Sequence, residues 1–365
     1  ITHVSKRGDT LIDLAVGKGG DIPKWINAKL KFVFGVDISR DNIQNRLDGA
    51  CARYLNYHKR FSVIPKALFV HGNSSVNIRN TEAILSEKGK HITNAVFGGG
   101  VKNIDELGKG VYNAYGIGEE GFNVCSIQFA IHYMFETPQT LYNFLRNVSE
   151  TTKVGGYFIG TSYDGNAIFD MLVKKKQGES VVVMEQEEKL WEVTKQYDRT
   201  EFPNNESCLG YAINVYQESI NKTFREYLVN YDYLTRILEN YGFTLLTKEQ
   251  VKDLDLPDST GLFNDLYGLM QNEMKRSKRA QNEYGDAKSM SPEEKKISFL
   301  NRYFIYKKQR NVDADKITLD LLGSSVDKEE LQNVESDEAE IEVSEVTDNP
   351  PKVKKLKRKL VLKEK

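Results

Sequence analysis

The sequence predicts an α/β fold, a mostly parallel seven-stranded sheet with helices on both faces, followed by a charged, disordered C-terminal tail. Three observations carry this expectation. Short apolar runs that end in a polar residue recur along the chain as far as Lys308. Between them lie stretches with the period of amphipathic helices. The first run, Leu11-Ile12-Asp13-Leu14-Ala15-Val16, passes directly into Gly17-Lys18-Gly19-Gly20, the kind of turn that joins strand to helix in nucleoside-binding βαβ units. Strands alternating with helices give a parallel sheet covered on both sides.

In order, residues 10–15 read as the first strand and 21–29 as a helix. Residues 32–37 form the second strand, ending in Asp37, and 41–57 a helix with Ile43, Leu47, Ala50 and Tyr54 on one face. Residues 67–70 are a short third strand that exits into His71-Gly72-Asn73, and 76–90 reads as helical. Gly98-Gly99-Gly100 lies in a loop. Residues 122–128 are the fourth strand, 138–152 a helix and 155–161 a buried fifth strand. The stretch 164–225 breaks the alternation and reads as an insertion. A helix over 231–240, a sixth strand over 243–246, a polar helical insertion over 261–284 and a Tyr- and Phe-rich last strand over 299–308 follow. From 312 the composition turns polar and charged, which predicts disorder. There are no internal repeats.

The chain has 365 residues, and no apolar run approaches the roughly 18 that a membrane helix needs. Its three cysteines, Cys51, Cys125 and Cys208, are scattered and odd in number. That argues for a reducing compartment and against a disulfide framework or a zinc site. The net charge of −1 hides an uneven distribution. Ten acids and one lysine fall in residues 327–348, and eight bases and one acid in 352–365, which leaves 42 bases against 41 acids before them. A near-neutral body argues against a broad phosphate-tracking surface. The chain opens on Ile1, so a piece of a longer polypeptide is expected.

The glycine turn discriminates among nucleosides. A dinucleotide fingerprint places a pyrophosphate at the helix N-terminus. Here Ala15 stands where its first glycine would be, and Asp21 opens the following helix. An acid there is unfavourable for a pyrophosphate and suits a cationic, phosphate-free ligand such as S-adenosylmethionine; the plain alternative is an ordinary turn capped by Asp21. Ligands in such sheets bind at the carboxyl ends of the strands. The exits offer Gly17 and Lys18 after the first strand and Asp37, which can accept from ribose hydroxyls, after the second. Asn73, which can accept from an adenine amino group, follows the third. The fourth strand exits into Gln128-Phe129-Ala130-Ile131-His132-Tyr133-Met134-Phe135-Glu136, a concentration of polar and aromatic side chains where a ligand should lie.

The segments DLAVGKGGDIPKW (13–25), GVDIS (35–39), FNVCSIQFAIHYMFE (122–136), GGYFIGTSYD (155–164), REYLV (225–229) and NRYFIYKK (301–308) together resemble the mRNA cap guanine-N7 methyltransferases. The resemblance is closest to the methyltransferase part of multifunctional capping enzymes of large DNA viruses. It implies a Rossmann-like class I S-adenosylmethionine-dependent methyltransferase fold, with the domain over 1–311, the family's N-terminal helix missing, and the tail over 312–365. It implies cofactor contacts at Ala15, Gly17, Asp37, Asn73, Gln128 and Tyr133, and cap contacts at Lys18, Lys24, His132, Glu226 and Tyr303. Three positions depart from the family pattern: Ala15 replaces a common glycine, Asn73 a usual aspartate and Tyr163 a common proline.

The implied reaction transfers the methyl group of S-adenosylmethionine to N7 of the terminal guanosine of GpppRNA. Lys18 and Lys24 can meet cap phosphates. Glu226 can accept from guanine N1–H and N2–H2 together, which leaves a mismatched base facing an unpaired carboxylate. Tyr303, Phe129 and Tyr133 offer aromatic faces for a base. Guanine N7 has no proton to lose, so no general base and no metal is expected; His132 and Phe129 are positioning residues. The implied partners are 5′-capped RNA, triphosphatase and guanylyltransferase domains upstream on the same polypeptide, and a stimulatory subunit, with no membrane. The expected location is a cytoplasmic viral factory or the virion, with the nucleus as alternative. A methyltransferase acting on another substrate, and a catalytically silent cap-binding or scaffold module, are the competing readings.

Overall fold

The computed structural model describes residues 1–276 and 284–323. Twelve strands are found among the described residues. The main sheet contains β1 (Thr10–Asp13), β2 (Phe32–Asp37), β3 (Lys66–His71), β4 (Phe122–Gln128), β5 (Thr152–Tyr163), β10 (Phe243–Leu245), β11 (Thr260–Leu262) and β12 (Asn301–Lys308). Its order is β10-β12-β5-β4-β1-β2-β3, with β11 pairing β12. Strands β1 to β5 pair in parallel, whereas β12 runs antiparallel to both β5 and β10. The path therefore has the seven strands expected, and β11 is an addition. Central strands are buried on both faces, as continuous apolar runs require: all four residues of β1 and all six of β2 are buried. Phe122 stacks against Phe32 and Phe34, and Phe158 packs on Phe304.

The helices are α1 (Ile22–Asn27), α2 (Arg40–Gln44), α3 (Ala50–Arg60), α4 (Glu87–Val96), α5 (Ile104–Tyr112), α6 (Pro138–Thr151), α7 (Gly165–Leu172), α8 (Tyr231–Asn240), α9 (Lys248–Asp253), α10 (Phe263–Arg276), α11 (Pro292–Ser298) and α12 (Ala314–Leu322). The insertion carries a sheet of its own. Strands β6 (Ser180–Glu185), β7 (Glu188–Lys195), β8 (Ala212–Gln217) and β9 (Lys222–Tyr227) form a four-stranded antiparallel sheet. With Tyr163, Ile168, Phe169 and Leu172 it encloses a second core around Trp191.

Several expectations need correction. The helix over 41–57 is two helices, because Asn45 Oδ1 accepts from the Leu47 amide at 2.9 Å and turns the chain; Leu47 is 86% exposed. Residues 73–85 are irregular rather than helical. Their amides bond back toward the third strand's exit, Asn73 to the Ala83 carbonyl and Leu85 to that of His71, and the helix starts only at Glu87, capped by Ser86. Residues 260–262 are strand β11, not helix, and 277–283 lie outside the described residues. The tail does not begin at 312. Ala314–Leu322 is a helix whose Ala314 and Thr318 are buried, with Thr318 bonded to the Tyr241 hydroxyl at 2.9 Å. Its outward face is polar, so its composition reads as tail although one face packs. The charged blocks of 327–348 and 352–365 lie outside the described residues.

Candidate active site

The first part of the site is the carboxyl edge of β1, β2, β3 and β4, which puts the sequence-predicted Ala15, Gly17, Asp37, Asn73 and Gln128 along one line. Gly17 has φ +53°, a conformation glycine adopts without penalty, and a Cβ there would meet open space. Asp37 fastens the turn. Its Oδ2 accepts from the Gly17 amide at 2.7 Å, and its Oδ1 accepts from the Ser39 amide at 2.9 Å and Asn42 Nδ2 at 3.1 Å. Asn73 Oδ1 accepts from the Ser75 amide and hydroxyl, so its carbonyl is already bonded within its own loop. Gln128 joins Ser126 to Thr161 across β4 and β5. Asp13, buried at the end of β1, has its carboxyl pushed well above the usual range by burial, with further pushes from Asp21 and Asp37. Burial keeps Asp13 neutral, and the negative charge that a cation would meet at the edge is that of Asp21 and Asp37.

The second part is a cavity of about 650 Å³ beside that edge, roofed by the small sheet and by α10 and α11. Phe129, His132 and Tyr133 enter it from the exit of β4, Ser162 and Tyr163 from β5, Trp191, Gln217 and Glu226 from the small sheet, and Phe263 and Asn301 from the far side. Phe129 has φ +52°, which is strained for a bulky residue. Its amide donates to the Thr161 carbonyl at 2.8 Å, and its ring packs edge-on against Phe263.

His132 is 5% exposed, and among the described residues neither ring nitrogen has a hydrogen-bond partner. Its Nε2 lies 3.8 Å from Glu226 Oε1. Burial pushes the imidazole down to about 3, so it is neutral at pH 7. Burial pushes the Glu226 carboxyl up to about 7. Buried polar groups are normally bonded, so an imidazole that finds no partner among the described residues is placed to meet a polar group of a ligand. Burial first, then the charges of Glu226 and Asp37, raise the Tyr133 phenol to about 12, which puts Tyr133 between the edge and the cavity.

Three expected residues are not brought to this cavity. Lys18 pairs with Asp48 at 2.8 Å and lies 3.8 Å from Asp41. Lys24 pairs with Asp21, one turn away on its own helix; the Asp21 side chain therefore does not cap α1. Tyr303 is 5% exposed, and its hydroxyl donates to the Asp258 carbonyl at 3.1 Å, so its ring is wall between β12 and β11 rather than an open stacking face. The sequence reading missed Trp191, Gln217 and Phe263, none of which lies in a quoted segment, and Asn301, which opens NRYFIYKK.

Over residues 1–309 the chain matches the mRNA (guanine-N(7))-methyltransferase domain. It belongs to that family. It is 26% identical over 347 residues to the probable mRNA-capping enzyme of Acanthamoeba polyphaga mimivirus, covering 86% of this chain and 27% of that protein. It is 28% identical over 280 residues to the mRNA cap guanine-N(7) methyltransferase of Debaryomyces hansenii, covering 75% of this chain and 49% of that one. The chain thus spans about a quarter to a half of the length of these relatives. For an mRNA (guanine-N(7))-methyltransferase domain the implied cofactor is S-adenosylmethionine. The carboxyl edge fits that group: the open turn at Gly17 admits it, Asp37 stands at the end of β2, and the negative charges of Asp21 and Asp37, felt at Asp13, suit its positive charges. Among the described residues no helix is long and apolar enough to cross a membrane.

Proposed function

We propose that this domain methylates N7 of the 5′-terminal guanosine of GpppRNA. The observation that carries the reading is the buried pair of His132 and Glu226, partly unpartnered, in an aromatic cavity beside the cofactor edge. S-adenosylmethionine supplies the methyl group and a leaving group that needs no acid. The chain's own residues hold and orient. Ala15, Gly17, Asp37, Asn73, Gln128 and Tyr133 form the cofactor side. Glu226, when ionised, accepts from the two adjacent donors of guanine. Phe129 and Tyr133 present ring faces, and neutral His132 fixes the base without taking a proton. Because N7 carries none, alignment and a low-charge environment suffice.

Lys18 and Lys24, tied to carboxylates at present, would reach cap phosphates only by exchanging those partners. Triphosphatase and guanylyltransferase activities on the same polypeptide, a stimulatory subunit, and action in a cytoplasmic viral factory or the virion, or else in the nucleus, belong to this reading; the mimivirus relative supports the multidomain setting. The test is transfer of labelled methyl from S-adenosylmethionine to GpppRNA, with ApppRNA, protein and small-molecule pools as rivals. Label in GpppRNA alone is expected. Label only in another pool, or capped-RNA binding without transfer, would replace this reading with one of its competitors.

A further inference from the structure

Tyr163 ends β5 and faces Asn301 across the register with β12. Its hydroxyl oxygen accepts from Trp191 Nε1 at 3.0 Å and from Gln217 Nε2 at 2.9 Å. Trp191 and Gln217 are cross-strand partners in the pairing of β7 with β8. Two neighbouring strands of the small sheet therefore grip one oxygen at the end of a main-sheet strand. An indole N–H can only donate, and a phenol oxygen offers two lone pairs and one hydrogen. With both lone pairs filled, the hydrogen is the group's one remaining bond. No acceptor among the described residues takes it, while Tyr163, Gln217, His132 and Glu226 all line the same cavity.

We propose that the Tyr163 hydroxyl is a fixed hydrogen-bond donor to O6 of the cap guanine, completing the base-reading edge that Glu226 begins. The proposal rests on the cap reading above. Guanine presents O6 as an acceptor directly beside its N1–H and N2–H2 donors, so a site that answers the donors with a carboxylate needs a donor for the third position. Adenine places an amino group there, and donor would face donor. Burial and the Glu226 charge raise the phenol to about 12, which keeps the hydrogen in place across the working range. Tyr163 thus acts on specificity by touching the base.

The test compares the intact chain with Y163F on two substrates, GpppRNA and RNA capped with 6-thioguanosine. The thio base keeps N1–H and N2–H2 but replaces O6 with a sulfur that accepts poorly. The expected result is a loss in kcat/KM of about threefold to tenfold on the guanosine cap and of less than about twofold on the thio cap, with S-adenosylmethionine affinity unchanged and the melting temperature lowered, because Trp191 Nε1 and Gln217 Nε2 lose their acceptor. Equal losses on both caps would overturn the proposal: Tyr163 would then be wall, or its hydrogen would go to a Gln217 amide turned the other way. No loss on either cap would overturn it as well. Because Y163F gives up the bonds from both Trp191 and Gln217, Q217M, which keeps the Trp191 bond, provides the second variant. It frees the hydroxyl to rotate and should weaken the guanosine cap selectively, and an unselective effect counts against the proposal. A wild-type chain that leaves GpppRNA unmethylated fails the cap reading itself, a result distinct from any difference between variants.

Discussion

Glu226 concentrates the conflict between stability and function in one side chain. Its carboxyl titrates near 7 in the fold instead of near its ordinary 4.5, so the native state holds that proton more tightly than the unfolded chain. The stability this gives is present below the unfolded value and is lost as pH rises through 7, a cost on the order of 3 kcal/mol at pH 8. Glu226→Gln should therefore melt higher than the wild type at pH 8, which calorimetry would show. The same variant should lose at least about tenfold in kcat/KM on GpppRNA, because a charge-assisted bond to the base is gone. In the wild type kcat/KM should fall as pH drops below about 7, since a protonated Glu226 no longer accepts twice. A wild-type profile with no such limb, or the same limb in the variant, would remove Glu226 as its source. Asp37 is a different case. Three donors already hold its carboxylate, so Asp37→Ala loosens the Gly17 turn as well as removing an acceptor. A loss of about 1.5–3 kcal/mol in S-adenosylmethionine affinity is expected, and an unchanged isotherm would take Asp37 out of the site. What the sequence made legible at this scale was chemistry at strand exits: the Asp37 turn and the run from Gln128 to Glu136 needed only local order. The clamp on Tyr163 did not show, because its partners lie 28 and 54 residues away and carry no spacing signal.

Among the elements, the main sheet was readable because buried parallel strands are continuous apolar runs. The insertion was readable as a break in the alternation but its strands were not, because β9 is exposed over its first four residues, β6 has no fully buried residue, and the four strands depend on one another for pairing. The last helix, α12, was hidden for a related reason. It packs on α6 through a narrow face, with Arg146 and Asp315 paired at 2.8 Å at its rim. A chain ended at residue 311 exposes Tyr241, Tyr142 and their neighbours, and should unfold several degrees lower than the full chain. A chain ended at Gly323 should keep its melting temperature. Equal melting of the two truncated forms would mean that α12 adds nothing to the fold. A comparable anchor lies on the last strand. Lys308 is buried and its Nζ donates to the Ser149 and Thr152 carbonyls at 2.6 and 2.7 Å, which caps the end of α6. Lys308→Met should leave both carbonyls unpaired and cost about 2–4 kcal/mol in denaturant unfolding; a variant as stable as the wild type would show that both carbonyls find other partners.

For the molecule as a whole, charge and architecture point to a division of labour. The near-neutral body and the basic block over 352–365 suggest that any salt-sensitive hold on RNA resides in the tail. Removing 352–365 should flatten the dependence of capped-RNA binding on salt and leave methyl transfer to a short capped oligonucleotide intact; an unaltered slope would place the phosphate contacts on the body instead. The two sheets divide the work in a further way. The parallel sheet carries the cofactor edge, whereas Trp191, Gln217 and Glu226 all stand on the four-stranded sheet inserted after β5. On the cap reading, the Glu226 carboxylate and the clamp that aims the Tyr163 hydroxyl thus arrive as one cassette spliced into a methyl-donor chassis, while Tyr163, His132 and Phe129 belong to the chassis. Evolution, or an engineer, could retune which nucleobase is accepted by exchanging one contiguous stretch of gene, and leave the donor pocket's coding sequence alone.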